Sequence, residues 1–140
     1  MTSNPIKPVG LDHVVLRVAD MDRAIRFYCE VLGCRVEKRQ VPIGLVQLRA
    51  GRSLIDLVDV AGTIGREGGA APGAEGRNMD HLCIRVEPFD GKAIQAHLNS
   101  HGVDPGEVVS RSGAEGDGPS LYLSDSEGNT VELKGPPGPI

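Results

Sequence analysis

The 140-residue sequence has no tryptophan and only four other aromatic residues, Phe27, Tyr28, Phe89 and Tyr122. That excludes the aromatic platforms on which single-stranded nucleic acids stack. Positive charge is not in excess either. The net charge is −4 and the pI about 5.5, so there is no basic surface for a phosphate backbone. No apolar run approaches the ~20 residues of a membrane span. The opening Met-Thr-Ser-Asn-Pro-Ile-Lys-Pro lacks the apolar region of a signal peptide. Cysteine is scarce: Cys29, Cys34 and Cys83 are odd in number and form no C-x-x-C, which points to free thiols in a reducing cytoplasm. With 24% charged and 39% hydrophobic residues the composition is ordinary. The length fits a single domain over 1–140 with one modest core. The partner to expect is a small molecule, with no nucleic acid and no membrane.

What the chain does contain is a phrase used twice. Residues 12–18 read Asp-His-Val-Val-Leu-Arg-Val and residues 80–86 read Asp-His-Leu-Cys-Ile-Arg-Val. His13 and His81 stand 68 residues apart, as do Arg17 and Arg85. Both stretches alternate, so each predicts a strand with one apolar face and one face carrying His and Arg. A second echo closes each half: Leu-Ile-Asp-Leu-Val at 54–58 and Thr-Val-Glu-Leu-Lys at 130–134. Asp56 and Glu132 lie between apolar neighbours and so point away from the apolar face. Repeats of this length are one supersecondary unit used twice, because one copy cannot bury its own apolar face.

Strands are expected over about 11–18, 35–40, 45–49 and 54–59 in the first half. The second half should have them over about 79–86, 107–111, 120–124 and 130–134. Asp20 caps a first helix that runs at helical spacing from Met21 to Leu32 and stops at Gly33. A second helix starts at Pro88 and Asp90 and stops at Gly102. The fold class is α+β: two β-α-β-β-β modules, about 9–60 and 79–135, forming curved mixed sheets around a metal cleft. Residues 61–78, with six glycines and a proline, read as a linker or mobile loop, and 1–10 as a tail.

By strand parity the face opposite the helices receives His13, Arg17, Gln47 and Asp56 from module 1. From module 2 it receives His81, Cys83, Arg85, Tyr122 and Glu132. Two imidazoles and two carboxylates related by a pseudo-twofold form a candidate site for one divalent ion: Zn, Ni, Co, Mn or Fe. Four ligands leave one or two positions open for water or substrate. Asp56 is shorter than Glu132 and reads as the weaker ligand; either carboxylate could move a proton, but the longer Glu132, able to swing off the metal, is the one expected to serve as both ligand and base. Arg17, Arg85 and Gln47 are candidates for holding substrate, and Tyr122 for aiming a hydroxyl at it. The plainer readings are counter-charges for the two arginines, a core aromatic for Tyr122 and a small lining residue for Cys83. His97 and His101 read as surface residues of the second helix.

These residues resemble the vicinal oxygen chelate superfamily, also called the glyoxalase/bleomycin-resistance/dioxygenase superfamily. The resemblance spans roughly residues 9–134. It rests on Leu-Asp-His-Val-Val-Leu-Arg-Val-Ala-Asp at 11–20 and Arg-Ala-Ile-Arg-Phe-Tyr-Cys-Glu-Val-Leu-Gly at 23–33. Leu-Tyr-Leu-Ser-Asp-Ser-Glu-Gly-Asn-Thr-Val-Glu-Leu at 121–133 completes it. The resemblance implies a glyoxalase-like fold with His13, Asp56, His81 and Glu132 as metal ligands. It also implies a homodimer, in which modules pair between chains. The implied chemistry is a glyoxalase-I-like, lactoylglutathione-lyase-type isomerisation of a small oxo compound or its thiol adduct, through a metal-chelated enediolate. Asp56 departs from the Glu that glyoxalase I members usually carry. Val60 stands near where they often carry an Asn that helps bind glutathione. Two alternatives follow from the same resemblance. One is an extradiol-type Fe(II) dioxygenase using His13, His81 and Glu132, with Tyr122 at that group's tyrosine position. The other is a metal-free protein that sequesters a drug or metabolite.

Overall fold

The computed structural model describes residues 4–140. Of the tail expected over 1–10, residues 1–3 lie outside the described residues, and 4–12 run without helix or strand. Module 1 is β1 (His13–Val18), α1 (Met21–Arg26), β2 (Arg35–Gln40), β3 (Leu45–Ala50) and β4 (Ser53–Asp59). Module 2 is β5 (Leu82–Arg85), α2 (Gly91–Ser100), β6 (Val109–Arg111), β7 (Gly118–Ser124) and β8 (Thr130–Lys134). The first sheet has the order β1-β4-β3-β2 and the second β5-β8-β7-β6. In both, the first strand pairs parallel with the last, and the remaining pairs are antiparallel. The repeat read from the sequence is therefore a repeat of topology. Among the described residues no helix is long and apolar enough to cross a membrane.

Three boundaries differ from expectation for local reasons. Helix α1 ends at Arg26 and passes into a π-helical turn, Phe27–Val31, instead of running on to Leu32. The wider turn, closed by Leu32 N–H on the Phe27 carbonyl, leaves Phe27 and Leu32 packed against both cores. Strand β5 begins at Leu82, which pairs with Val131 of β8. His81 therefore lies just ahead of the strand. Strand β6 is only three residues long.

Each sheet buries one face. Leu16, Val18, Leu48, Ile55 and Leu57 close the first core over Ala24, Ile25 and Tyr28. Leu121, Leu123, Val131 and Leu133 close the second over Leu98. Phe27, Leu32, Leu82 and Ile84 pack against both cores and so join the modules. Both helices start where the sequence placed them. Asp20 accepts from Arg23 N–H at 3.1 Å and Asp90 from Ala93 N–H at 3.2 Å.

A polar clasp reinforces the joint. The tight turn Asp125–Asn129 of module 2 folds on Asp125 Oδ1, which accepts from the N–H groups of Glu127 and Asn129, both at 2.8 Å. Asp125 Oδ2 accepts the buried Tyr28 hydroxyl at 2.6 Å. Burial, and then the Asp125 charge, push that phenol well above its ordinary range. The Glu127 carboxylate accepts from Ala19 N–H at 2.6 Å and Asp20 N–H at 3.1 Å, just before α1. Tyr28→Phe keeps the ring and removes the hydroxyl, leaving Asp125 Oδ2 with Asn129 Nδ2 at 2.9 Å. We expect it to cost about 2 kcal/mol, read as a lower urea midpoint at unchanged slope. A variant as stable as the parent would mean that the clasp contributes nothing.

Candidate metal centre

The parallel ladders set the site's geometry. In module 1 the register places Val15 and Gln47 on either side of Asp56, with His13 one step along the same face beside Leu54. In module 2 it places Cys83 and Tyr122 on either side of Glu132. Strand parity was legible, and the expected residues share a face in each sheet. His81 Nε2 lies 3.2 Å from Glu132 Oε1. His13 feels the Asp56 charge. Among the described residues, however, no set of three or more His, Cys, Asp or Glu side chains converges to hold an ion. The candidate ligands lie as two pairs, His13 with Asp56 and His81 with Glu132.

The two carboxylates are both buried, Asp56 at 3% exposure and Glu132 at 5%, yet their surroundings differ. Glu132 has both oxygens engaged: Oε1 by His81, and Oε2 by the Ser120 hydroxyl at 2.6 Å. Among the described residues, Asp56 Oδ2 has only Gln47 Nε2, at 3.4 Å, and Asp56 Oδ1 is buried with no partner. The carboxylate that the sequence singled out as free to move is thus the one held at both ends. A buried, unpartnered carboxylate oxygen is costly unless a cation or a proton joins it.

A model of the Glyoxalase/Bleomycin resistance protein/Dioxygenase superfamily matches residues 10–133. The chain belongs to this superfamily. It is 28% identical over 133 residues to the glyoxalase domain-containing protein RDO1 of Mycosarcoma maydis, a match covering 89% of this chain and 66% of that protein. Of solved structures, virulence protein STM3117 of Salmonella typhimurium superposes with a TM-score of 0.78 at 26% identity, covering 94% of this chain and all of that one. A lactoylglutathione lyase of Agrobacterium tumefaciens has a TM-score of 0.65 at 21% identity, covering 94% and 96% of the two chains, and shows the shared fold alone.

In this superfamily member both histidines have a partner that sequence reasoning left without a role. Asp12 Oδ1 lies 2.6 Å from His13 Nδ1, and Asp80 Oδ1 lies 2.6 Å from His81 Nδ1. An acidic partner on Nδ1 selects the tautomer and leaves Nε2 free to face the site. The signal was the repeated Asp-His dipeptide itself. Ser120 and Arg111 were also missed, since nothing in their local pattern marks them. Tyr122 meets the His81 ring edge-on at 5.4 Å between centroids, and the Arg111 guanidinium stacks 4.4 Å above the Tyr122 ring.

The two repeat arginines have structural partners. Arg17 donates from Nε, Nη1 and Nη2 to the carbonyls of Gly65, Ala70 and Gly69, at 3.0, 3.1 and 2.6 Å. It therefore anchors the first part of the glycine-rich segment, which forms a 3₁₀ turn over Gly65–Gly68. A side chain at Gly68 would run into the guanidinium, and one at Gly65 into the Asp59 carbonyl. Two of Arg17's five N–H groups remain for another ligand. Arg85 pairs with Glu115 at 2.7 Å. Desolvation, and then the Glu132 charge, push the Cys83 thiol up to about 11. His97 Nε2 lies 2.8 Å from the Val31 carbonyl, and the His97 and His101 rings meet at 4.7 Å. A cavity of about 780 Å³ lined by Arg23, Glu30, His101 and Ser124 contains none of the four candidate ligands.

The bond to Asp80, opposed by burial and aided by Glu132, holds the His81 imidazole above its ordinary 6.5. A group whose folded pKa is raised adds stability below its unfolded value and loses it as pH rises through the folded value. Metal-free protein should therefore lose more stability between pH 5.5 and 8.5 than its Asp80→Asn variant. Urea midpoints at the two pH values measure this, and equal losses would remove Asp80 as the cause.

Proposed function

We propose that this protein is a divalent-metal-dependent enzyme that carries out a glyoxalase-I-like isomerisation of a small oxo compound or its thiol adduct. Each site would be assembled from module 1 of one copy and module 2 of another. The observation that carries this reading is Asp56 Oδ1, buried without a partner beside His13. A cation, or a proton in transit, gives it a partner.

The donor set fits a borderline divalent ion, with two imidazole Nε2 atoms and two carboxylates. His13 and Asp56 of one copy with His81 and Glu132 of the other would complete the set. The bound ion supplies Lewis acidity to the substrate's adjacent oxygens. The remaining work belongs to the chain. Asp12 and Asp80 hold the two imidazoles in the ligating tautomer. Glu132, fixed by Ser120, serves as a ligand. Asp56 Oδ1 is the atom best suited to take and return a proton, since no donor competes for it. Gln47 and Tyr122 line the same faces and would orient the substrate.

A second copy is also supported by apolar surface. Val15 lies beside Asp56 on the open face at 51% exposure, and Leu11 and Val9 just before β1 are 84% and 103% exposed. Covering this margin would exclude water from the site. The extradiol dioxygenase reading lacks a base: His97, on α2, is engaged by the Val31 carbonyl, and His101, the C-cap of α2, meets the His97 ring.

Protein purified without added metal should sediment as a dimer at micromolar concentration and carry about two divalent ions per dimer, one for each symmetric site. A monomer, or a dimer without appreciable metal after native purification, would overturn the reading.

A further inference from the structure

We infer that Ser120, backed by Arg111, is a positioning residue that fixes Glu132, so that the two carboxylates of the repeat are built for different tasks. The inference rests on the proposed metal site. Ser120 is fully buried in β7. Its hydroxyl donates to Glu132 Oε2 at 2.6 Å. Arg111 Nη1 donates to the Ser120 carbonyl at 2.9 Å and to Ser120 Oγ at 3.1 Å. With its lone pair taken by a cationic donor, the hydroxyl has its proton left for Glu132. Stacking on the Tyr122 ring holds the guanidinium in place.

The repeat supplies an internal comparison. Tyr122 pairs with Glu132 as Gln47 pairs with Asp56, and Ser120 pairs with Lys134 as Leu45 pairs with Val58. Leu45 stands in module 1 where Ser120 stands in module 2, and it has no hydroxyl to offer Asp56. The fold thus ties Glu132 Oε2 to Ser120 and sets Oε1 3.2 Å from His81 Nε2. The corresponding oxygen of Asp56 stays free. A ligand held in one rotamer loses less freedom when an ion arrives, which is how groups behind a ligand raise metal affinity.

The test is a Co²⁺ titration of the metal-free dimer, followed by the visible absorption of the bound ion, with the metal-free melting temperature of each variant recorded. Ser120→Ala should bind Co²⁺ about 10–100-fold more weakly, with an altered band shape. Arg111→Met, half-exposed at the sheet edge, should lose affinity in the same direction but by less. It also serves as the readout if Ser120→Ala does not fold. In a Glu132→Gln background Ser120→Ala should have almost no further effect, because the effect runs through that carboxylate. Wild-type affinity in the Ser120→Ala protein, or an equal loss in both backgrounds, would overturn the inference and leave the metal site standing. A wild-type protein that takes up no Co²⁺ would overturn the metal reading itself.

Discussion

Everything at the site depends on the parallel pairing of the first and last strands in each module. A parallel ladder needs a crossover, and here helix and hairpin provide it. The pairing sets a histidine at the head of one strand next to a carboxylate on the other. It does so twice, with Asp56 and Glu132 at equivalent places. Antiparallel neighbours then add Gln47 on one side and Tyr122 on the other. The chemistry of each half-site is a consequence of register. A slip of one residue would turn every one of these groups toward the core.

The same pairing bears on the proposal that the site needs a second copy. Each sheet spends its apolar face on its own helix and on the shared joint at Phe27, Leu32, Leu82 and Ile84. The polar faces are left without a counterpart. Tyr28, Asp125 and Glu127 lock the two modules together through their helix side. That joint gives each half-site a rigid backing, which is what a positioned ligand needs. It also commits the chain to an arrangement in which the two pairs do not meet.

Much of this was legible in the sequence. The duplicated Asp-His phrase, the alternation and the two carboxylates flanked by apolar residues revealed the modules and the shared faces. The capping residues Asp20 and Asp90 marked both helix starts. What was not legible depends on contacts between segments distant in sequence. The pattern around Arg17 reads as a substrate holder or a counter-charge, but its donors go to carbonyls some 50 residues away in a segment that reads as a linker or mobile loop. Glycines there serve close packing and not only looseness. Ser120 and Arg111 lie in an unremarkable edge hairpin, and their role arises only because Glu132 lies on the adjoining strand. Side-chain length alone favoured Glu132 as the mobile carboxylate. Hydrogen bonding reverses the order and leaves Asp56 the freer of the two.

The central claim is that the site forms between copies. It is tested most directly by mixing two inactive halves. His13→Ala spoils module 1 and His81→Ala spoils module 2, so neither variant alone should retain tightly bound metal. After unfolding and refolding together, half of the dimers are mixed, and each mixed dimer holds one site with all four ligands. Metal content should then recover to about a quarter of the wild-type value, as twofold symmetry requires. No recovery above the separate variants, in a mixture shown to exchange subunits, would contradict the account and return the site to a single chain.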